Sequence, residues 1–233
     1  MELHEGQDGL TLVGEDGLSL TPDLTEMLPR LRRDRLAHEL LVRAAKIRGV
    51  EHPTAFDATA GLGEDALLLA AAGFTVTLYE SDHVIAALLA DSLARAAADP
   101  RLSDAVVRMQ AREGDSIAAL HKLADSAAEP PDVVYLDPMF PERRKSAAVG
   151  KKFQLLHELE RPCANPEELL EAALAARPRK VVVKRPVKGP YLADVKPSYS
   201  LAGKAVRFDV MVPPRQPCRY MPASGTLGHG FVP

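Results

Sequence analysis

The chain predicts an α/β domain built on a mostly parallel sheet. Three observations lead there. The apolar period switches repeatedly between strand and helix spacing, a glycine-rich turn follows the first buried strand, and acidic residues recur where successive strands end. Doubly wound sheets bind ligands in the crevice beyond the carboxyl ends of their strands, so those strand ends are where function is sought.

Ahead of the domain, Leu10-Thr11-Leu12-Val13 and Leu18-Ser19-Leu20 flank an Asp16-Gly17 turn and predict a small hairpin. From Thr25 to about Arg48, leucine, alanine and isoleucine return at helical intervals, with Gly49 as the stop and Arg30, Arg32, Arg33 and Arg35 in the early turns. Residues 1–50 are therefore expected to form a hairpin and basic-helix extension, and residues 51–212 the α/β domain. Residues 213–233, interrupted by Pro213, Pro214, Pro217 and Pro222, are expected to form a flexible tail. Within the domain, strands are expected near 54–57, 75–79, 106–110, 133–136, 180–183 and 206–212, and helices near 64–72, 83–98, 116–124 and 166–176. Residues 198–204 are too few for a helical crossover, so the last strand is expected to run antiparallel in a final hairpin.

Composition narrows the function classes. The 233 residues correspond to about one and a half domains of roughly 150, and 46% hydrophobic with 26% charged residues excludes a wholly disordered chain. A net charge of −3, from 29 basic and 32 acidic side chains, is not that of a protein coating a duplex, so nucleic acid would be held by local patches. No apolar run approaches the roughly 20 residues of a membrane span, and Met1-Glu2-Leu3-His4-Glu5-Gly6 has no signal-peptide character. A cytoplasmic location without a membrane partner is expected. Cys163 and Cys218 form no CxxC pair and the seven histidines no HExxH spacing, so no metal is expected.

In Phe56-Asp57-Ala58-Thr59-Ala60-Gly61-Leu62-Gly63-Glu64-Asp65-Ala66, Gly61 and Gly63 let the backbone turn sharply and approach a ligand. The spacing also fits a dinucleotide fingerprint, and an NAD(P)-dependent oxidoreductase is one reading of it. Asp57 at the strand end and Glu64 and Asp65 in the first helical turn would repel a diphosphate. They suit the ammonium and sulfonium charges of S-adenosylmethionine, although acids there also complement the helix dipole. Glu80-Ser81 follows the second strand, where a carboxylate can accept from ribose hydroxyls. Asp115-Ser116 follows the third strand and offers either an adenine contact or a helix N-cap.

The most specific signal is Val133-Val134-Tyr135-Leu136-Asp137-Pro138-Met139-Phe140-Pro141, an apolar strand ending in an acid, a proline turn and an aromatic. Asp137 and the Pro138 carbonyl can accept the two hydrogens of an exocyclic amine while Phe140 stacks on its base. As a bland alternative, the turn simply ends a strand and Phe140 packs in the core.

Asp-Pro-Met-Phe resembles the (Asp/Asn)-Pro-Pro-(Tyr/Phe) motif of methyltransferases acting on base amino groups, with Met139 in place of the second proline. With DATAGLGEDA, VVYLDPMFP and VVVKRP in this order, the chain resembles the ribosomal small-subunit methyltransferase J family over about residues 53–210. The resemblance implies a Rossmann-like class I S-adenosylmethionine-dependent fold, with a mostly parallel seven-stranded sheet and an antiparallel last strand, and methylation of guanine N2 in 16S rRNA of the small ribosomal subunit. It also implies cofactor contacts at Glu64-Asp65, Glu80-Ser81, Asp115-Ser116 and Asp137. Arg143-Arg144-Lys145 and Lys184-Arg185 are then expected to grip phosphates beside the target guanine, while Lys151-Lys152 reads as solvated loop. A DNA or protein amine is the nearest alternative acceptor, because Asp-Pro-x-Phe alone does not say which amine is presented.

Overall fold

The computed structural model describes residues 1–15, 17–138, 155 and 165–214. The N-terminal segment forms strands β1 (Glu2–Gly6), β2 (Gly9–Val13) and β3 (Ser19–Leu20), paired antiparallel in the order β1-β2-β3. The expected pairing of β2 with β3 is present, but a second hairpin precedes it. Every residue of β1 is exposed, so no apolar alternation marks it, and its backbone pairing with β2 alone defines it. Leu12 and Leu20 bury against Ile85 and Leu88 of a later helix, and Asp91 on that helix accepts the amide hydrogen of Leu10 at 3.0 Å.

The single helix expected over 25–48 is instead a 3-10 turn (Leu24–Met27) followed by α1 (Leu28–Leu31), α2 (Arg33–Leu36) and α3 (Leu40–Ala45). The breaks fall at Arg32 and Glu39, whose ψ angles of 138° and 128° are extended. A bidentate pair of Arg30 with Glu39, at 2.9 and 2.8 Å, ties the segments across both breaks. Across these bends Leu24, Met27, Leu41, Ala44 and Ala45 all enter the main core.

Then follow β4 (Thr54–Asp57), α4 (Glu64–Ala71), β5 (Thr75–Glu80), α5 (His83–Ala97), α6 (Ser103–Val106), β6 (Met109–Glu113), α7 (Ser116–Asp125) and β7 (Val133–Leu136). After them come α8 (Pro166–Ala175), β8 (Lys180–Pro186), β9 (Tyr199–Ala202) and β10 (Val206–Met211). The third strand of the domain starts at Met109 rather than near 106, because residues 103–106 close a short helical turn first.

Among the described residues, seven strands form one sheet in the order β6-β5-β4-β7-β8-β10-β9. The first five are parallel, and β10 pairs antiparallel with both β8 and β9. Side chains alternate between two cores. Ala55, Val76, Leu78, Val133, Tyr135 and Val182 face the layer holding α4, while Phe56, Val134, Leu136, Val181 and Val183 face the layer holding α7 and α8. Burial on both faces is why these strands read as continuous apolar runs. Five successive residues of α4, Ala66 to Ala70, are fully buried, so this helix is apolar on every side and its first turn is fixed in place.

The loop from β4 into α4 is bonded to both neighbouring strands: Ala58 N–H donates to Tyr135 O at 3.0 Å and Ala60 N–H to Tyr79 O at 2.9 Å. Gly63 closes it with φ of 80°, and a Cβ there would lie 2.7 Å from the buried Leu89 Cδ1. Gly63→Ala therefore costs about 1–3 kcal/mol from the left-handed backbone alone. Urea denaturation checks this, and an unchanged midpoint would mean that the loop relaxes freely.

Candidate active site

The carboxyl edge of the sheet gathers acids from four elements. Asp57 ends β4 and is 1% exposed. Its Oδ1 accepts from Thr59 N–H at 3.0 Å, and its Oδ2 is buried with no hydrogen-bond partner among the described residues. Burial pushes its pKa up to about 8 against the lowering by the Thr59 hydrogen bond, with smaller contributions upward from the charges of Asp65 and Asp137 and downward from Lys184. Asp65, in the first turn of α4, accepts at Oδ2 from the Tyr135 hydroxyl at 2.6 Å and from Lys184 Nζ at 2.7 Å. The same ammonium reaches Asp137 Oδ2 at 2.8 Å. One cation from β8 thus bridges a carboxylate of the glycine-loop helix and the carboxylate that follows β7.

The groups in this chain respond to one another. Burial and the Asp65 charge raise the Asp137 carboxyl above its ordinary value despite Lys184. Burial opposes the Lys184 ammonium, but Asp65 and Asp137 outweigh it and raise that pKa. Burial and the surrounding aspartates lift the Tyr135 hydroxyl well above the ordinary tyrosine value, so it stays a donor. The Asp137 backbone is itself held, because its N–H donates to Thr59 Oγ1 at 2.6 Å. Thr59 therefore links the first and fourth strand ends of the domain.

The other expected positions divide. Glu80 ends β5, accepting at Oε2 from Gly61 N–H and at Oε1 from Asp82 N–H, each at 2.9 Å. It joins the glycine loop to the start of α5, while Ser81 beside it is exposed. Glu64 sits half-buried next to Asp65. Asp115 caps α7, accepting from Ile117 and Ala118 N–H at 2.8 and 3.3 Å, with Ser116 as the first helical residue. Pro138 is buried after Asp137, whereas Met139, Phe140, Arg143, Arg144 and Lys145 lie outside the described residues.

Lys184 and Arg185, expected together in a loop gripping phosphates, instead lie on β8, which runs on to Pro186 and sends adjacent residues to opposite faces. Lys184 is engaged by the two aspartates. Arg185 is 1% exposed, donates from Nε to Pro190 O at 2.8 Å, and is drawn down to a pKa of about 10 by burial and the neighbouring Arg207. Arg207, which the sequence does not single out, donates from Nη1 to the carbonyls of Pro186, Val187 and Gly189 at 2.8 to 2.9 Å and clamps the loop leaving β8. Tyr135 is also missed. A tyrosine in a strand of valine and leucine signals a hydroxyl that needs a partner, but not which one.

These residues fit a cationic nucleoside cofactor. Gly61 and Gly63, at φ of 51° and 80°, leave the turn without side chains, and the partnerless Asp57 Oδ2 marks a polar group that a ligand or water can satisfy. Glu64, Asp65, Glu80 and Asp137 at one edge suit sulfonium and ammonium charges and disfavour a pyrophosphate.

Counted from β4, the sheet order is 3-2-1-4-5-7-6, and that sheet with an acid-rimmed glycine loop defines the class of S-adenosylmethionine-dependent methyltransferases. Residues 1–213 match the family model described as a putative SAM-dependent methyltransferase. The chain is 40% identical over 204 residues to ribosomal RNA small subunit methyltransferase J of Neisseria gonorrhoeae, covering 88% of this chain and 80% of that one. It is 47% identical over 183 residues to the protein of the same name from Thioalkalivibrio sulfidiphilus, covering 78% and 71%. A solved SAM-dependent methyltransferase from N. gonorrhoeae, 35% identical, matches 91% of this chain and 82% of its own with a TM-score of 0.71. An rRNA methyltransferase from Streptomyces viridochromogenes shares the fold at 20% identity and a TM-score of 0.50, over 76% of this chain and 84% of its own. The chain belongs to the ribosomal RNA small subunit methyltransferase J family, and its cofactor is S-adenosylmethionine.

The buried acid makes a pH-dependent contribution to folding. Folding raises the Asp57 pKa from 3.8 to about 8, so the folded chain holds that proton more tightly than the unfolded one. Its contribution is complete below pH 3.8 and drains as pH climbs to about 8, by about 1.4 kcal/mol per unit. Asp57→Asn keeps an acceptor for Thr59 and cannot ionise. In urea denaturation at about pH 5 and about pH 8, the difference between variant and wild type moves in the variant's favour at the higher pH. A constant difference would show that Asp57 ionises equally in both states.

Proposed function

We propose that this chain transfers the methyl group of S-adenosylmethionine to the exocyclic N2 amine of a guanine in 16S rRNA of the small ribosomal subunit. The observation that carries the proposal is Asp137, the acid of the Asp-Pro-Met-Phe run, held by Thr59 and Lys184 at the sheet edge that also gathers the glycine-loop acids. The rRNA acceptor is supported by the names of the relatives, and the guanine amine by the motif's resemblance to those of base-amine methyltransferases.

The cofactor supplies an activated methyl group, so the protein needs little acid–base chemistry beyond removing one proton. When bound, S-adenosylmethionine would supply its methyl carbon to the amine nitrogen, its sulfur keeping the electron pair of the broken carbon–sulfur bond, so that one amine proton has to leave. Asp137 accepts from the amine N–H and the Pro138 carbonyl takes the other hydrogen, which directs the nitrogen lone pair and fixes the geometry of attack. Afterwards the Asp137 carboxylate takes the departing proton and passes it to solvent. Phe140 is assigned to stacking on the extruded base, and Arg143, Arg144 and Lys145 to phosphates beside it. Asp57, Gly61, Gly63, Glu64, Asp65, Glu80, Ser81, Asp115 and Ser116 are assigned to the cofactor side, and residues 51–212 to the methyl-transfer unit.

The test is methyl transfer to small-subunit RNA from cells lacking the modification, free and assembled, followed by mass spectrometry of the nucleosides. The expected product is N2-methylguanosine. Asp137→Ala lowers kcat by on the order of 100-fold while the protein still binds S-adenosylhomocysteine. A methyl group on another atom, or near-normal turnover by the variant, would overturn the assignment.

A further inference from the structure

We propose that Lys184 is a positioning residue for the acceptor amine: its ammonium occupies Oδ2 of Asp137 and leaves Oδ1 to receive the amine N–H. The inference rests on the reading of Asp137 as amine acceptor. It is independent of which RNA carries that amine.

The geometry sets the two oxygens of Asp137 apart. Oδ2 is bonded to Lys184 at 2.8 Å, while Oδ1 accepts no hydrogen bond among the described residues, and the side chain is 37% exposed. Lys184 is fixed from the other side by Asp65 at 2.7 Å, which Tyr135 in turn holds at 2.6 Å. The carboxylate is thereby constrained both along its backbone, through Thr59, and at one oxygen.

Charge gives the arrangement its purpose. The titratable and charged groups around Asp137 are Asp57 on β4, Asp65 on α4, Tyr135 on β7 and Lys184 on β8, with the Arg185 charge acting from the opposite face of β8. Burial and the neighbouring Asp65 favour the protonated acid, and a protonated Asp137 would present a donor to an amine that needs an acceptor. Of these groups, only the Lys184 ammonium is hydrogen-bonded to Asp137. Without it, Asp137 would take up a proton at a higher pH and its carboxyl would lose its anchor.

Two neutral variants of the full chain test this, Lys184→Met and Lys184→Gln, with Lys184→Arg as the conservative variant. Carbon-13 NMR titration of the aspartate carboxyls, with Asp137 assigned from its absence in Asp137→Asn, needs no substrate. It is expected to move the Asp137 titration upward by about 1 unit or more in either neutral variant. In methyl transfer the acid limb of the kcat profile moves upward with it, kcat at neutral pH falls at least about tenfold, KM for RNA changes little, and Lys184→Arg recovers most of the rate.

An Asp137 titration unmoved in a folded neutral variant would overturn the inference. So would a rate loss with the wild-type pH profile that arginine does not recover. Failure of the functional reading looks different: the wild type then forms no N2-methylguanosine, whatever Lys184 does to Asp137.

Discussion

One ammonium between two carboxylates organises the carboxyl edge of this sheet. Asp65 and Asp137 come from different elements, and each meets Lys184 Nζ within 2.8 Å. Without that cation, two aspartates sharing one small space would repel each other, and burial would favour protonation of one of them. The bridge keeps the first turn of α4 and the turn after β7 at a fixed separation. In the functional reading, that is the separation between methyl donor and acceptor amine. Asp65 cannot be regarded only as a dipole-complementing acid, because it also holds the residue that holds Asp137.

The scaffold supplies rigidity where the bridge needs it. Lys184 lies on β8, which pairs with β7 on one side and β10 on the other, and Val181 to Val183 just before it are fully buried. α4 is packed on every side, and the bent N-terminal segment packs into the same core. Arg30 links these layers electrostatically as well. Its bidentate bond to Glu39 raises its pKa, with smaller upward contributions from the charges of Asp65 and Glu64. Removing that segment would expose the apolar surface it covers in the main core.

How much of this was legible in the sequence depended on whether the deciding contact was local. Asp57, Glu80 and Asp137 could be placed because each follows a continuous apolar strand, and the parallel pattern brings such strand ends to one edge. The N-cap role of Asp115 was equally readable, since it needs only the next three residues. The partners of Tyr135 and Lys184 were not, because each depends on α4 lying over one face of β7 and β8. The strand was also expected to stop at 183, which put Lys184 and Arg185 together in a loop. With β8 running to Pro186, period two sends them to opposite faces. β1 lacked the apolar pattern altogether, and the breaks at Arg32 and Glu39 were hidden by side chains that keep helical spacing while the backbone does not.

The acids at this edge are not equivalent, and their difference explains how so many can share it. Asp57 is 1% exposed, has no cation bonded to it and reaches a pKa of about 8, so near neutral pH it is mostly uncharged. Asp137 is partly open to solvent and bonded to Lys184, which favours its charged form. Environment therefore sorts aspartates of one intrinsic acidity into a neutral group under the glycine loop and a cation-braced group after β7. The sheet edge therefore carries less negative charge than a count of carboxyls suggests. Discrimination against a diphosphate survives the sorting, because Glu64 and Asp65 still crowd the start of α4 and neither is replaced by a donor that could welcome an anion.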